Sequence, residues 1–142
     1  MYANILVGVD LNDEASWKSA LPIAVDICRK FGARMSIVTV VPDFGLPTVR
    51  QFFPDDFSDR ALAEVKLQLR ALVEAELPAD LSVKTIVAYG TPYAEILRVA
   101  ADLDCDLIVL RSHRPELKDY LLGPNAARVV RHADCSVLVV RD

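Results

Sequence analysis

Short apolar runs alternate along the chain with segments whose apolar residues recur at helical spacing. Four of the runs are of strand length and largely apolar, and the first of them is continuous, as expected for a strand that is covered on both faces. These runs are Ile5–Val9, Met35–Val41, Leu107–Leu110 and Val137–Val140. A fifth run, Val83–Val87, is interrupted by Lys84 and Thr85. This mixed pattern predicts a less buried strand at an edge of the sheet.

Helical periodicity predicts four helices between these strands. Their apolar stripes extend from Trp17 to Phe31, from Leu62 to Leu77, from Ile96 to Leu103 and across the short segment Pro124–His132. Residues with special turn properties mark the predicted ends of the helices. The candidate caps at the starts of the first two helices are the polar turn Asp10–Asp13 and the pair Ser58-Asp59. Gly32 is expected to end the first helix, and the turn Gly90-Thr91-Pro92 is expected to begin the third.

The resulting order of elements, β-α-β-α-β-α-β-α-β, predicts an α/β fold with five parallel strands in one doubly wound sheet and helices on both faces. No linker, low-complexity segment or internal repeat divides the chain, so we expect a single domain over residues 1–142. The segment from Pro42 to about Asp56 is long for a loop and contains three prolines and three phenylalanines. It is a surface connection, a lid or a dimer contact.

Composition places the chain among globular proteins, because 53% of its 142 residues are hydrophobic and 25% are charged. The net charge of −4 argues against a general nucleic-acid binder, which would carry a basic stripe. No apolar run is long enough to span a bilayer, and the start Met1–Asn4 lacks the basic region of a signal peptide. We therefore expect a cytoplasmic protein with no membrane or nucleic-acid partner.

The sequence lacks the motifs of several common enzyme and metal sites. Cys28, Cys105 and Cys135 are scattered without CxxC spacing, so we expect no metal or redox site. GxGxxG, GxxxxGK(S/T) and GxSxG are absent, which argues against a dinucleotide dehydrogenase, a P-loop NTPase and a nucleophile elbow. Because no nucleophile, base and orienting group are recognisable together, we expect no enzyme, with slow ATP hydrolysis as the alternative.

Ligands of open parallel sheets bind beyond the carboxyl ends of the strands, where the strand order reverses. The segments that leave strands one, two and four are therefore the candidates: Gly8-Val9-Asp10, Val40-Val41, and Leu110-Arg111 with the residues after it. Asp10 could accept a hydrogen bond from ribose or adenine, or it could cap the first helix. The backbone of Val40 could match a purine edge, or Val40 could simply end a core strand.

The segment before the final helix is a candidate phosphate site. Gly123 precedes this helix, whose N-terminus offers free N–H groups and a partial positive charge. Pro124 fits the first turn, but it has no N–H to donate. The side-chain amide of Asn125 could replace that donor.

Three basic residues precede this glycine and bear on whether phosphate binds there. Arg111, Arg114 and His113 would add charge-assisted hydrogen bonds to phosphate oxygens. Arginine also prevents the close backbone approach that glycine allows, so the same residues oppose binding sterically. A solvated, ion-paired loop is the alternative to a phosphate site.

Several segments resemble the universal stress protein family. Ile5–Asp10 resembles the first strand of the family with its terminal Asp. Gly90-Thr91-Pro92, followed by Ile96-Leu97, resembles its third strand-to-helix turn. Ser112–Pro115 and Leu121–Ala127 resemble a subgroup of the family, some members of which bind ATP. The resemblance covers essentially the whole chain and is most specific in the last third.

The resemblance implies strand order 3-2-1-4-5 and a regulatory, non-catalytic protein that binds ATP or AMP, with Mg²⁺ accompanying ATP. It implies these cofactor-binding residues: Gly8, Val9, Asp10, Val40, Leu110, Arg111, Ser112, His113, Arg114, Gly123, Pro124, Asn125 and Ala126. Arg111 and Arg114 stand where the commoner form has glycines, and Pro124-Asn125 replaces Ser or Thr. If Arg111 blocks the nucleotide, the alternative is a nucleotide-independent dimeric module that regulates a partner protein.

The last strand indicates self-association. Val137–Val140 is apolar, yet we expect it at an edge of the sheet. Exposed apolar edges pair readily with another chain. We therefore predict a homodimer through this strand, which the family resemblance also implies.

Overall fold

Five parallel strands form one sheet in the computed structural model, which describes residues 1–42, 55–112 and 124–141. The strands are β1 (Asn4–Gly8), β2 (Arg34–Pro42), β3 (Val83–Gly90), β4 (Leu107–Arg111) and β5 (Ser136–Val140). They lie in the order β3-β2-β1-β4-β5. The predicted α/β class and strand order are therefore confirmed, and β3 and β5 are edge strands as expected.

The most apolar run of the chain lies at the centre of this sheet. Ile5 of β1 pairs with Met35 of β2 on one side and with Leu107 of β4 on the other. Side chains alternate across a strand, so Ile5 and Val7 enter the core on one face and Leu6 enters it on the other. A strand covered on both faces needs apolar residues at every position, which explains the continuous run.

Helices cover both faces of the sheet. They are α1 (Ala15–Lys18), α2 (Ala20–Phe31), α3 (Asp55–Glu76), α4 (Pro92–Asp102) and α5 (Pro124–His132). Residues of α2 and α3 pack with Val7 and Ile37 on one face, and residues of α4 and α5 pack with Leu6 and Ile108 on the other. In the described ranges, no helix is both long and apolar enough to cross a membrane.

The predicted first helix is interrupted. Trp17 lies in α1, Phe31 ends α2, and Ser19 lies between the two helices. Ser19 keeps near-helical dihedral angles (φ −94°, ψ −33°), so the apolar periodicity continues across the break. The spacing of apolar residues alone therefore predicts a single helix. The glycine predicted to close it is confirmed: Gly32 has φ of 65° and donates its N–H to the carbonyl of Cys28.

The capping role predicted for Asp10 is wrong. Its Oδ1 accepts the N–H of Asn12 at 2.9 Å, whereas α1 starts only at Ala15. This Asx turn uses one oxygen of the carboxylate within its own loop. Asp13, at the other end of the predicted turn, accepts the N–H of Ala15 at 3.1 Å, whereas Glu14 is the N-cap residue of α1 and makes no side-chain capping hydrogen bond.

The second predicted helix begins earlier than its pattern indicates. Because α3 starts at Asp55, Ser58-Asp59 lies inside the helix, and the prediction of these residues as caps is wrong. The apolar stripe marks only the part of a helix that packs on the sheet, and that stripe starts at Leu62. Of the segment predicted as a loop from Pro42 to about Asp56, Pro42 belongs to β2 and the residues from Asp55 onward belong to α3, and residues 43–54 lie outside the described residues.

Candidate functional site

A cavity of about 890 Å³ lies at the carboxyl ends of the strands. The ends of β1, β2 and β4 form its floor, and the first turn of α5 and one side of α3 form its walls. Strand order reverses between β1 and β4, so the cavity lies at the topological switch point of the sheet. This is the position at which doubly wound folds bind their ligands, and the volume suits a ligand of nucleotide size.

Most of the predicted binding residues that the structure describes meet in this cavity. Those that line it are Gly8, Val9, Asp10, Val40, Leu110, Arg111, Pro124, Asn125 and Ala126. Ser112 is not among the lining residues: it is buried, and its N–H donates to the carbonyl of Val140 at 3.0 Å. His113, Arg114 and Gly123 lie outside the described residues.

Other lining residues were not predicted. They are Leu11, Asn12, Asp13, Ser16, Val38, Thr39, Val65, Gln68, Pro92 and Ile96, whereas Val41, which also lines the cavity, belongs to the candidate segment Val40-Val41. Pro92 and Ile96 could have been found, because α4 starts at the carboxyl edge of the sheet and its first turns face that edge. Val65 and Gln68 could not, because the cavity wall that α3 forms depends on where this helix of 22 residues begins.

Ser16 fixes the loop that follows β1. Its Oγ accepts the N–H of Asp10 at 2.8 Å and donates to the carbonyl of Asp10 at 3.0 Å. The same carbonyl accepts the N–H of Asp13 at 3.0 Å. These three hydrogen bonds on the backbone of Asp10 hold the loop against the end of β1, where Asp10 and Asp13 both line the cavity. Sequence motifs give no signal for this role of Ser16.

Gly8 contributes to the site by packing. A Cβ on Gly8 would lie 2.6 Å from Cδ2 of Leu110 and 3.4 Å from Cδ1 of Ile96. Leu110 and Ile96 are both buried beneath the cavity, so neither side chain can move away freely. The glycine therefore allows β1, β4 and α4 to approach one another at the cavity floor.

The opposite wall of the cavity joins β4 to α5. Arg111 ends β4 in register with Val140 of β5, and its side chain is half-buried. In the first turn of α5, Pro124 and Asn125 are exposed and Ala126 is buried. Asn125 therefore offers a side-chain amide at a helix N-terminus that lines the same cavity as Arg111.

The lining is charged on two sides. Asp10 and Asp13 supply carboxylate oxygens from the loop after β1, and Arg111 supplies a guanidinium from the end of β4. The cavity floor between them is made largely of apolar residues such as Val9, Val38 and Leu110. Such a site can accept hydrogen bonds at one end, donate charge-assisted hydrogen bonds at the other and bury a flat apolar body between them.

The chain matches the model of the universal stress protein family over residues 1–141. Universal stress protein G of Salmonella typhimurium is 29% identical over 99% of this chain and 100% of its own length. The solved structure of universal stress protein UspA from Lactobacillus plantarum has a TM-score of 0.75 and is 28% identical, over 99% of this chain and 98% of that one.

Two solved structures share the fold at lower identity. A universal stress protein in complex with cAMP has a TM-score of 0.62 at 22% identity and covers 99% of this chain and 97% of its own. A universal stress protein from Archaeoglobus fulgidus in complex with dAMP has a TM-score of 0.64 at 18% identity and covers 97% of both chains. The match in sequence extends over nearly the whole chain, and the sheet agrees with these structures. This chain belongs to the universal stress protein family.

Proposed function

We propose that the chain binds an adenine nucleotide, ATP or AMP, in the cavity at the carboxyl ends of the strands, and that binding serves a regulatory, non-catalytic role. The observation that carries the proposal is the convergence of three strand ends and one helix N-terminus on a single cavity of about 890 Å³. Two family members with the same fold were solved with adenine monophosphates, cAMP and dAMP. The chemistry of the lining fits such a ligand.

Each part of a nucleotide has a matching group in the lining. The adenine ring suits the apolar floor, where the backbone at Val40 can present an N–H and a C=O to the purine edge. Ribose hydroxyls can donate to the carboxylate of Asp10. Phosphate oxygens suit Arg111 and the Asn125 amide, which lie on the wall that contains the α5 N-terminus.

Mg²⁺ accompanying ATP would have oxygen ligands in the same cavity. Mg²⁺ is usually held by one or two carboxylates together with substrate phosphates and water. Asp10 and Asp13 both line the cavity and each uses only Oδ1 in a hydrogen bond to its own loop. These two residues would hold the ion, which would neutralise phosphate charge.

Two observations support a non-catalytic role. The described lining contains no histidine or cysteine that could act as a base or nucleophile. The relatives reported above carry no enzyme name. A regulatory protein that changes its surface when nucleotide binds is consistent with both, and a cytoplasmic location would give it access to ATP and AMP.

Titration calorimetry with ATP, ADP and AMP tests the proposal. We expect saturable binding of one nucleotide per chain, and we expect Asp10→Ala to weaken it about tenfold by removing the ribose acceptor. Asp26→Ala, an exposed aspartate on α2, is the matched control and should bind as the unchanged protein does. Absence of heat and of thermal stabilisation at millimolar nucleotide would refute the proposal.

A second candidate function is a dimeric interaction module that acts on a partner protein without nucleotide. The edge strand β5 favours it, because Val137, Leu138 and Val139 remain partly exposed in the single chain. We propose a homodimer through this strand in either case. If nucleotide binds only to Arg111→Gly, the native arginine blocks the cavity and this second function is preferred. Sedimentation of the Val139→Lys variant tests the dimer, which this charge should dissociate.

A further inference from the structure

A second cavity lies at the opposite end of the sheet, where the strands begin. Its volume is about 350 Å³, near the lower limit of about 300 Å³ for small-molecule sites. Its polar lining residues are Asn4, Arg34, Ser36, Ser82 and Lys84. We call this cavity the amino-end groove. It is separated from the nucleotide cavity by the length of β1, about 17 Å for five residues.

Strand register brings the polar residues of the amino-end groove onto one face. Asn4 pairs with Arg34, and Ser36 pairs with Lys84 in the neighbouring strand. Residues two apart in a strand share a face, so Arg34, Ser36 and Lys84 all lie on the face that α4 covers farther along. Leu103, directly after α4, completes the wall. Two cations from adjacent strands therefore point into the same concave space.

The two cations of the amino-end groove make no ion pair with any residue in the described ranges. Of the nearby carboxylates, Asp102 and Asp106 already have other partners, whereas Asp104 has an exposed side chain. Asp102 accepts a hydrogen bond from Nη1 of Arg98 at 3.0 Å. Asp106 accepts two backbone N–H groups at the start of β1, at 2.8 and 3.0 Å. Arg34 and Lys84 thus keep their donors available to a ligand.

The C-terminus of α4 does not use these cations as caps either. Its last carbonyls accept backbone N–H groups from the turn that follows the helix. Leu103 donates to Val99 at 3.0 Å, and Cys105 donates to Ala100 at 2.8 Å. A helix end that is satisfied in this way has no need of an arginine or lysine cap.

We propose that the amino-end groove binds a phosphate dianion, either inorganic phosphate or a small phosphate monoester. Arginine can grip two phosphate oxygens at once, and lysine adds a compact positive charge. The hydroxyls of Ser36 and Ser82 can donate to the remaining oxygens. The chain as a whole carries a net charge of −4, so the attraction comes from this groove and not from the overall charge.

Amide chemical shifts during a titration with inorganic phosphate test this proposal. The titration is run at low ionic strength against a sodium chloride reference of equal ionic strength, with AMP present at a saturating concentration if it binds. We expect saturable shifts at the starts of β1, β2 and β3. A parallel titration with glycerol phosphate distinguishes the two sources, because tighter binding identifies a monoester and equal binding identifies free phosphate.

Single charge changes test which residues bind. Arg34→Gln and Lys84→Gln should each weaken binding about tenfold, the effect of losing one charge-assisted hydrogen bond. Lys30→Gln removes the same charge from an exposed position on α2 and should leave the affinity unchanged. Both groove residues are exposed, so these variants keep the fold, which circular dichroism verifies.

A variant that removes a negative charge near the groove provides a second test. Asp104 has an exposed side chain next to the groove and a φ of 52°, which asparagine also tolerates. Asp104→Asn should tighten phosphate binding about twofold by removing one nearby negative charge. Shifts confined to the carboxyl-end cavity, no saturable shifts, or equal weakening by Lys30→Gln would each overturn the proposal.

Discussion

The two ends of the sheet use aspartate in opposite ways. At the amino end, Asp106 accepts the backbone N–H groups of Ala3 and Asn4, which lie more than one hundred positions earlier in the chain. At the carboxyl end, Oδ1 of Asp10 accepts the N–H of Asn12, only two positions away. One carboxylate joins two strands, whereas the other shapes a single loop.

This difference separates structural from ligand-binding polar groups. The Asp106 carboxylate links the start of β1 to the start of β4. Asn4 adds a second link, because its Nδ2 donates to the carbonyl of Asp104 at 3.2 Å. A loop that satisfies itself leaves the neighbouring strand ends free to border a cavity. We therefore expect removal of the Asp106 carboxylate to lower stability and removal of the Asp10 carboxylate to lower nucleotide affinity.

Truncation of the core between the two ends should have the largest effect. Ile108 is fully buried in β4, and Ile108→Ala should lower the free energy of unfolding by about 2–5 kcal/mol through lost transfer energy and the cavity that is left. Ile23→Ala on α2, where the side chain is 38% exposed, is the matched control and should cost far less. Urea denaturation measures both, and equal losses would contradict the assignment of the core.

The positions of the strands could be predicted because each strand of the centre is buried on both faces. Neither Ile5–Val9 nor Leu107–Leu110 contains a polar residue, so the ends of both runs are clear in the sequence. In the structure these runs form β1 and β4, which are adjacent in the centre of the sheet. Lys84 marked β3 as an edge strand for the same physical reason, since only an edge leaves room for a charged side chain to reach water.

The cavity was only partly predictable, because its shape depends on contacts between distant segments. The strand-end rule identified Asp10 and Arg111, which follow directly from strand positions. Gln68 enters the cavity through the placement of α3, and Ser16 through hydrogen bonds to the backbone of Asp10. The packing role of Gly8 against Leu110 likewise requires three-dimensional distances.

Removing the negative charge of Asp106 should have the next largest effect on the free energy of unfolding. Asp106→Asn keeps the size of the side chain but loses the charge that two backbone N–H groups bind. We expect the free energy of unfolding to fall by about 1–2 kcal/mol at neutral pH. Asp26→Asn on the exposed face of α2 is the control, and an equal loss in that variant would show that Asp106 has no special role.

The pH dependence of stability should identify the same carboxylate. Partial burial raises the pKa of Asp106, but the backbone N–H groups of Ala3 and Asn4 outweigh that effect, and its pKa is lowered from the ordinary 3.8. A lowered folded-state pKa contributes stability above the unfolded pKa and loses it as pH falls through the folded pKa. The unchanged protein should therefore lose more stability than Asp106→Asn between neutral pH and pH below 3.8.

Cys105 lines the amino-end groove, and its reactivity reports how strongly partial burial protects its thiol. Burial, followed by the nearby Cys135 and two aspartates, raises the pKa of its thiol to about 11, from an ordinary 9.0. At pH 8 this raised pKa lowers the thiolate fraction about a hundredfold. A thiolate of higher pKa is also more nucleophilic, which offsets part of that loss. We therefore expect Cys105 to be alkylated about tenfold more slowly in the folded than in the unfolded chain. Mass spectrometry of each labelled cysteine measures the ratio, and equal folded and unfolded rates would show that burial does not protect this thiol.

Loosening the loop at the carboxyl end should have the smallest effect on stability. Ser16→Ala removes the hydroxyl that accepts the N–H of Asp10 and donates to its carbonyl, at a cost of about 1 kcal/mol in the free energy of unfolding. If this end is built for binding, the same variant should weaken adenine nucleotide several-fold, because Asp10 is no longer held toward the cavity. Ser16→Thr keeps the hydroxyl and should restore both properties. If Ser16→Ala lowers stability but leaves nucleotide affinity unchanged, Ser16 has only a structural role. The proposed difference between the Asp10 loop and Asp106 would then be wrong.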